Sequence, residues 1–260
     1  MALAFLIVCG LALLFNSAAG GWLLRFLFGA RKAIEREKNR LEPIIKTVQD
    51  TINDKLKLKL KPIENIRLEI MDDSMPEAAA IGKNTLIISR ALYETASDEE
   101  IAGVIAHELA HLHNGDSNRL GVAVGVSIIT ITITWLAALI ATLAFAVSAM
   151  CSKMKGEHAA LFFMFIGFII GGCAWIFLIF AKAGNWILNL VMLFHGRREE
   201  YKADKFAIQA GLGKGLVSFL EKIKDLKMTG KQTIKNRLYA THPPVMLRIG
   251  KIEEYLANEC

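Results

Sequence analysis

Charge and cysteine are both scarce in this 260-residue chain: Asp, Glu, Lys and Arg make up 22% of it, and it has four cysteines. With 53% hydrophobic residues and a mean hydropathy of +0.38, the chain is too apolar for an ordinary soluble domain, and disorder, collagen and coiled coil are excluded. Cys9, Cys151 and Cys173 lie in or beside apolar stretches and Cys260 is the last residue. There is no CxxC and no Cys/His cluster, so neither a disulfide framework nor a thiolate zinc site is indicated. No nucleic-acid-binding motif accompanies the formal net charge of +6, and no nucleic-acid partner is expected.

What is present is a set of long apolar runs. Ala2 to Leu24 contains no charged residue, enough for a helix to cross a hydrocarbon core. No Lys or Arg precedes it, whereas Arg25, Arg31 and Lys32 follow, so an uncleaved anchor is expected rather than a signal peptide. Leu120 to Cys151 and Ala159 to Ala181 are two further uncharged runs separated by SKMKGEH, a membrane hairpin in which both arms must be helical to satisfy their backbone groups. The apolar stretch Asn185 to Phe194 is expected to continue the third helix. Arg119, before the second run, and Arg197 and Arg198, after the third, mark the cytoplasmic flanks, so three crossings with the N-terminus outside are predicted. The expected organisation is therefore an anchor at 1–28, a first polar part at 29–119, a hairpin at 120–182 and a second polar part at 183–260, the two polar parts assembling into one domain. The fold class is a mainly α membrane protein with a small α+β cytoplasmic domain.

In the polar segments, the charged stretch from Ala30 favours helix until Pro43, which is expected to interrupt it and open a second helix through about Asp54. Lys55 to Lys61, KLKLKLK, alternates like a strand or an extended surface segment, read as a headgroup contact or as a solvated basic face over a leucine row. Ile66, Leu68 and Ile70 alternate with Arg67 and Glu69 as a half-buried strand would. Ala78 to Ile81, a turn at Gly82 to Asn84 and Thr85 to Ser89 complete a small sheet, whose exposed edge is where a peptide can add as a strand.

The next helix opens at Ser97, in capping-box spacing with Glu100, and Gly115 is placed to end it. It carries HELAH. His107 and His111, at i and i+4, share one helix face, so their imidazoles can reach one cation while Glu108 faces a water beside it. Imidazoles suit Zn²⁺, and three protein ligands with an open position make such a site catalytic. His113 is on another side of the helix and His158 lies in the outer loop, which leaves His195, Glu199, Glu200, Asp204 and His242 as candidates for the third ligand. Glu200 and Asp204 have i,i+4 spacing, so one could bind metal while the other orients a ligand imidazole; ordinary helix solubility is the alternative.

GRREEYKAD, Gly196 to Asp204, resembles the second signature of the HtpX-type membrane zinc metalloproteases, the family that includes the CAAX prenyl endopeptidases. HELAHLHNGD is similar to their first. The order of anchor, strand region, HExxH helix, hairpin, Glu helix and a closing HPP segment, here THPPVMLRI from Thr241, also agrees. The resemblance implies a zincin-like catalytic domain with one Zn²⁺ held by His107, His111 and Glu200, Glu108 as general base and Asp204 as the partner of a ligand histidine. It also implies a substrate edge at Ala78, Ala79 and Ala80. From the HPP segment it implies His242 and Arg248 as holders of the oxyanion or substrate backbone; otherwise His242 ends a loop and Arg248 is a solvated charge. The chain departs from the family in Glu199, where many relatives have Arg, in Glu77, where Asn is frequent, and in having one N-terminal span where the bacterial pattern has two.

The expected function is a membrane-anchored zinc endopeptidase, multi-pass in the cell (inner) membrane, acting on misfolded or membrane polypeptides at the cytoplasmic face. The alternatives are a zinc-binding scaffold or sensor without turnover, a CAAX-type processing enzyme, and an intramembrane protease. The polar SDEE and NGDSNR flanks of the HELAH helix disfavour the last.

Overall fold

The computed structural model describes Trp22, Arg25, Phe26 and residues 29–60, 63–82, 84–115, 117–151, 157–224 and 243–258. The chain is mostly helical, with a small sheet and two candidate membrane spans. The first apolar run, apart from Trp22, and residues 152–156 of the loop between the other two lie outside the described residues, as does His242.

Ala30–Lys32 form β1 and Glu35–Leu56 a 22-residue helix, α1. The break expected at Pro43 does not occur, because Pro43 sits inside α1. Proline in a helix interior removes a hydrogen bond and costs about 3 kcal/mol. Against this, Leu41, Ile45, Val48 and Ile52 recur on one face and are at most 1% exposed, and each buried aliphatic contributes about 1.5–3 kcal/mol. Packing wins over local propensity. Pro43 itself is exposed, so Pro43→Ala is expected to stabilise the detergent-solubilised protein by about 1–3 kcal/mol in denaturant unfolding, less whatever the ring saves by restricting the unfolded chain. A loss of stability would contradict this reading of the helix.

The start of the charged segment is likewise not helical. Ala30, Arg31 and Lys32 pair antiparallel with Met71, Ile70 and Glu69 of β2, Arg67–Met71. The described part of the KLKLKLK run, Lys55 to Leu60, is not a strand either: Lys55 and Leu56 end α1, Lys57 caps it in the left-handed region at φ 52°, and 58–60 have no regular structure. Leu56, Leu58 and Leu60 pack on the core while the lysines between them stay exposed, so the alternation records a leucine row under a basic face. Asn53 Oδ1 accepts from the Leu60 N–H at 2.9 Å and holds the segment back against α1.

Ala78–Ile81 form β3 and Thr85–Ser89 form β4, antiparallel to each other, and β4 runs parallel to β2. The sheet order is β1-β2-β4-β3. Every residue of β4 is buried, as a continuous apolar run predicts for an inner strand, and β3 takes an edge. A short helix α2, Arg90–Thr95, leads to α3, Asp98–Asn114.

The α3 helix begins as its sequence dictates. Ser97 Oγ accepts from the Glu100 N–H and Glu100 reaches back to the Ser97 N–H at 2.8 Å, closing a capping box. Burial pushes the Glu100 carboxyl up, but Lys222, the Ser97 N–H and Ser218 outweigh it and leave it below its ordinary range. Lys222 and Ser218 belong to α6, Gly213–Ile223, which crosses α3 closely: a Cβ on Gly103 would lie 2.3 Å from the Leu216 backbone nitrogen. Gly115 ends α3 at φ 75°, a conformation that costs glycine little.

Two long helices follow, α4 at Ser117–Cys151 and α5 at Glu157–Gln209, and α7 at Val245–Asn258 closes the chain. The third apolar run continues without interruption through Asn185 to Phe194 into the polar part of α5. Thr130–Val147 and Met164–Gly184, with mean hydropathies of 2.1 and 2.4, are long and apolar enough to cross a membrane, and their side chains, Trp135, Phe168 and Phe180 among them, mostly face outward. The chain divides into two compact units, residues 1–122 with 193–260, and residues 123–192.

Candidate metal centre

His107, Glu108 and His111 come from the middle of the capped helix α3; Glu199, Glu200 and Asp204 come from the end of α5. His107 is 3% exposed and Glu200 is 7% exposed, so both donors are withdrawn from bulk water. His107 Nε2 stands 3.3 Å from His111 Nε2 and 3.3 Å from Glu200 Oε2, and His111 Nε2 is 3.4 Å from Glu200 Oε1. Donors at about 2.0–2.1 Å from one tetrahedral centre stand roughly 3.3–3.4 Å apart. The three spacings therefore suit a single divalent ion of zinc's size, and two imidazoles with a carboxylate are a donor set zinc accepts.

The outer contacts set the orientation of His107. Its Nδ1 donates to Asp204 Oδ1 at 2.9 Å, which leaves the Nε2 lone pair turned toward His111 and Glu200. Asp204 is gripped in turn by Arg248 of α7, with Nε on Oδ2 at 2.9 Å and Nη2 on Oδ1 at 2.6 Å. Arg248 Nη2 also lies 3.4 Å from His107 Nδ1, and Nη1 is 3.7 Å from Glu200 Oε2. Burial and Arg248 pull the His107 pKa down, but Asp204 and Glu200 outweigh them and hold it above the ordinary value. Burial pushes the Asp204 carboxyl up, and His107 with Arg248 overcomes this and lowers it. Burial works against the Arg248 charge, yet Asp204, Glu200 and Glu108 raise its pKa.

Glu108 is 7% exposed, and its Oε2 accepts from the Ala80 N–H at 2.8 Å. The HELAH carboxylate thus meets the edge strand β3, where Ala78 and Ala79 are half-buried. Glu77 fixes the start of that strand through its backbone: its N–H donates to Ser89 Oγ and its carbonyl accepts from the Ser89 N–H, both at 2.8 Å.

Of the residues that sequence pattern offered as a third ligand, the structure brings Glu200 to the two histidines. Asp204 stands behind His107 instead. Glu199 is buried and bonded to Lys202, His113 is exposed and stacks on Phe206, and His158 is exposed on α5. The His195 side chain lies outside the described residues. Arg248 is 7% exposed, which removes its reading as a solvated helix charge. No spacing in the sequence pairs it with Asp204; a buried Arg four residues into a helix that opens after Pro244 is a tertiary fact.

The family model described as "Peptidase family M48" matches residues 35–256. A protease HtpX homolog of Bacteroides fragilis is 25% identical over 90% of this chain and 74% of its own length. One from Thermoanaerobacter pseudethanolicus is 27% identical over 71% of this chain, which spans 64% of that relative, and one from Bacillus subtilis is 27% identical over 66% and 56%. Among solved structures, Ste24p of S. mikatae aligns with 79% of this chain and 49% of that chain at 18% identity and a TM-score of 0.41.

Proposed function

Since the chain belongs to peptidase family M48, we propose that it is a zinc-dependent endopeptidase, anchored in a membrane, that hydrolyses polypeptides at the cytoplasmic face. The observation that carries this reading is the convergence of His107, His111 and Glu200 within 4.8 Å, with Glu108 on the same helix. Bound there, Zn²⁺ supplies Lewis acidity toward a carbonyl oxygen and toward water. His107, His111 and Glu200 hold it, and Asp204 keeps the His107 ring turned so that Nε2 is the coordinating nitrogen. Glu108 takes a proton from the water that attacks the scissile carbonyl and returns it to the leaving amine, so the peptide bond breaks without a covalent bond to the enzyme. The β3 edge, Ala78 to Ala80, lines up the substrate backbone beside that carboxylate. Misfolded or membrane-bound proteins are the substrates we propose, on the resemblance of HELAHLHNGD and GRREEYKAD to the HtpX-type signatures.

The membrane arrangement we propose has three crossings, with the anchor at 1–28 and the hairpin at 120–182, in the inner membrane of a cell. Its support is the two candidate spans together with the basic residues Arg25, Arg31, Lys32, Arg197 and Arg198 beside the apolar runs. The two polar parts then share one side and form a zincin-like domain. A scaffold that merely bound zinc would have no use for a carboxylate such as Glu108 beside the ligand set.

Hydrolysis of casein by the purified full chain in detergent tests this directly. Cleavage is expected, its loss on chelation, and its return on adding Zn²⁺. Chelator-resistant cleavage, or none in metal-replete protein, would overturn the reading.

A further inference from the structure

We propose that the backbone amide of Ala80 is the positioning group for Glu108, and that an extended substrate pairs with β3 in the register this leaves open, at Ala78. The inference rests on the endopeptidase reading above and goes beyond it to the edge strand itself. β3 is last in the sheet order, so among the described residues one of its edges carries no strand. Its register with β4 is Ala78 to Ile88, Ala79 to Ile87, Ala80 to Leu86 and Ile81 to Thr85. Ser89 N–H donates to the Glu77 carbonyl at 2.8 Å, so Glu77 faces β4. The N–H and C=O of successive residues turn to opposite edges of an antiparallel strand. Ala79 and Ile81 therefore also face β4, and Ala78 and Ala80 face the open edge.

At Ala80 the outward N–H is already committed to Glu108 Oε2, at 2.8 Å between two residues 8% and 7% exposed. With one carboxylate oxygen held by the strand, the other is the one presented for proton transfer, and the side chain has one orientation rather than several. An incoming backbone cannot use that N–H. It is left with the N–H and C=O of Ala78 and the C=O of Ala80, and this fixes where the substrate chain sits relative to Glu108. Three consecutive alanines are poor strand formers. Their presence here fits an edge that must stay unobstructed.

The test is turnover of the full chain in detergent with Ala80 replaced by proline, which deletes the N–H on the side the β4 ladder does not use and is tolerated at strand edges. With zinc content retained, kcat is expected to fall about 10- to 100-fold while KM changes by less than about twofold. Ala80→Gly, which keeps the amide, should recover most of that loss. Ala78→Pro should act mainly on KM. A kcat for Ala80→Pro within about twofold of wild type at full metal content would overturn the proposal. Should the proline variant fail to fold or to hold zinc, an amide-to-ester replacement at position 80 removes the same proton without the ring, and an unchanged kcat there overturns it equally. Absence of any chelator-sensitive cleavage by wild type would instead remove the endopeptidase reading, and this inference with it.

Discussion

Replacing Glu108 by Gln is expected to lower kcat by about 100- to 10,000-fold, the range over which a positioned general base acts, while the protein keeps its zinc. Gln has nearly the shape of Glu and can still meet the Ala80 N–H through its carbonyl oxygen, so β3 and α3 should stay in contact. What it loses is the ability to accept a proton at neutral pH. None of the three proposed metal donors, His107, His111 and Glu200, is touched. Steady-state cleavage of a quenched peptide beside metal analysis of the same sample separates the two effects. Full activity in the variant would remove Glu108 from the chemistry; loss of zinc would make it part of the binding set.

Asp204→Ala is expected to damage two properties at once. Arg248 is buried and holds both Asp204 oxygens, so deleting the carboxylate strands a guanidinium away from water. Breaking a buried pair in this way costs about 3–5 kcal/mol. His107 simultaneously loses the acceptor that fixes its Nδ1 proton, and outer partners of this kind account for about 10- to 100-fold in metal affinity. The double replacement Asp204→Leu with Arg248→Met tells the two apart. It should recover much of the stability, because no charge is left stranded, and none of the zinc affinity, because His107 still has no acceptor. Denaturant unfolding and a zinc competition titration read the two quantities. Unchanged stability in Asp204→Ala would show that Arg248 finds another partner.

The site was legible to the extent that it is local. Ser97, Glu100 and Gly115 delimit α3 by capping chemistry, and His107, Glu108 and His111 take their mutual placement from the pitch of one helix. Glu200 and Asp204 were legible as an i,i+4 pair, and the likeness of GRREEYKAD to a known signature chose between their roles. What stayed hidden depends on contacts between distant segments. Arg248 is 44 residues from Asp204, and neither flank announces the pairing. The Ala80 contact to Glu108 uses a backbone N–H, which residue types do not encode.

In the fold, β2 could be read from its alternation, β3 and β4 from the β-favouring stretches around Gly82, and both long helices from their uncharged runs, and the failures have one cause. Pro43 is kept in α1 by the burial of Leu41, Ile45, Val48 and Ile52, which local propensity does not count. Ala30–Lys32 is too short for any period to show and is a strand only because β2 is beside it. The period-two run at Lys55 to Lys61 arises from leucines resting on the core rather than from pairing. Sheet order is hidden for the same reason: β4 lies between β2 and β3, although β3 precedes it in the chain.

Zinc-edge X-ray absorption on the purified full chain measures directly whether α3 and α5 together hold one zinc ion. One zinc per chain is expected, with two imidazole nitrogens and a carboxylate oxygen at about 2.0–2.2 Å, and Glu200→Gln is expected to lose the carboxylate contribution or the metal itself. A protein purified without zinc that takes none up, or a zinc environment that Glu200→Gln leaves unaltered, would contradict this expectation.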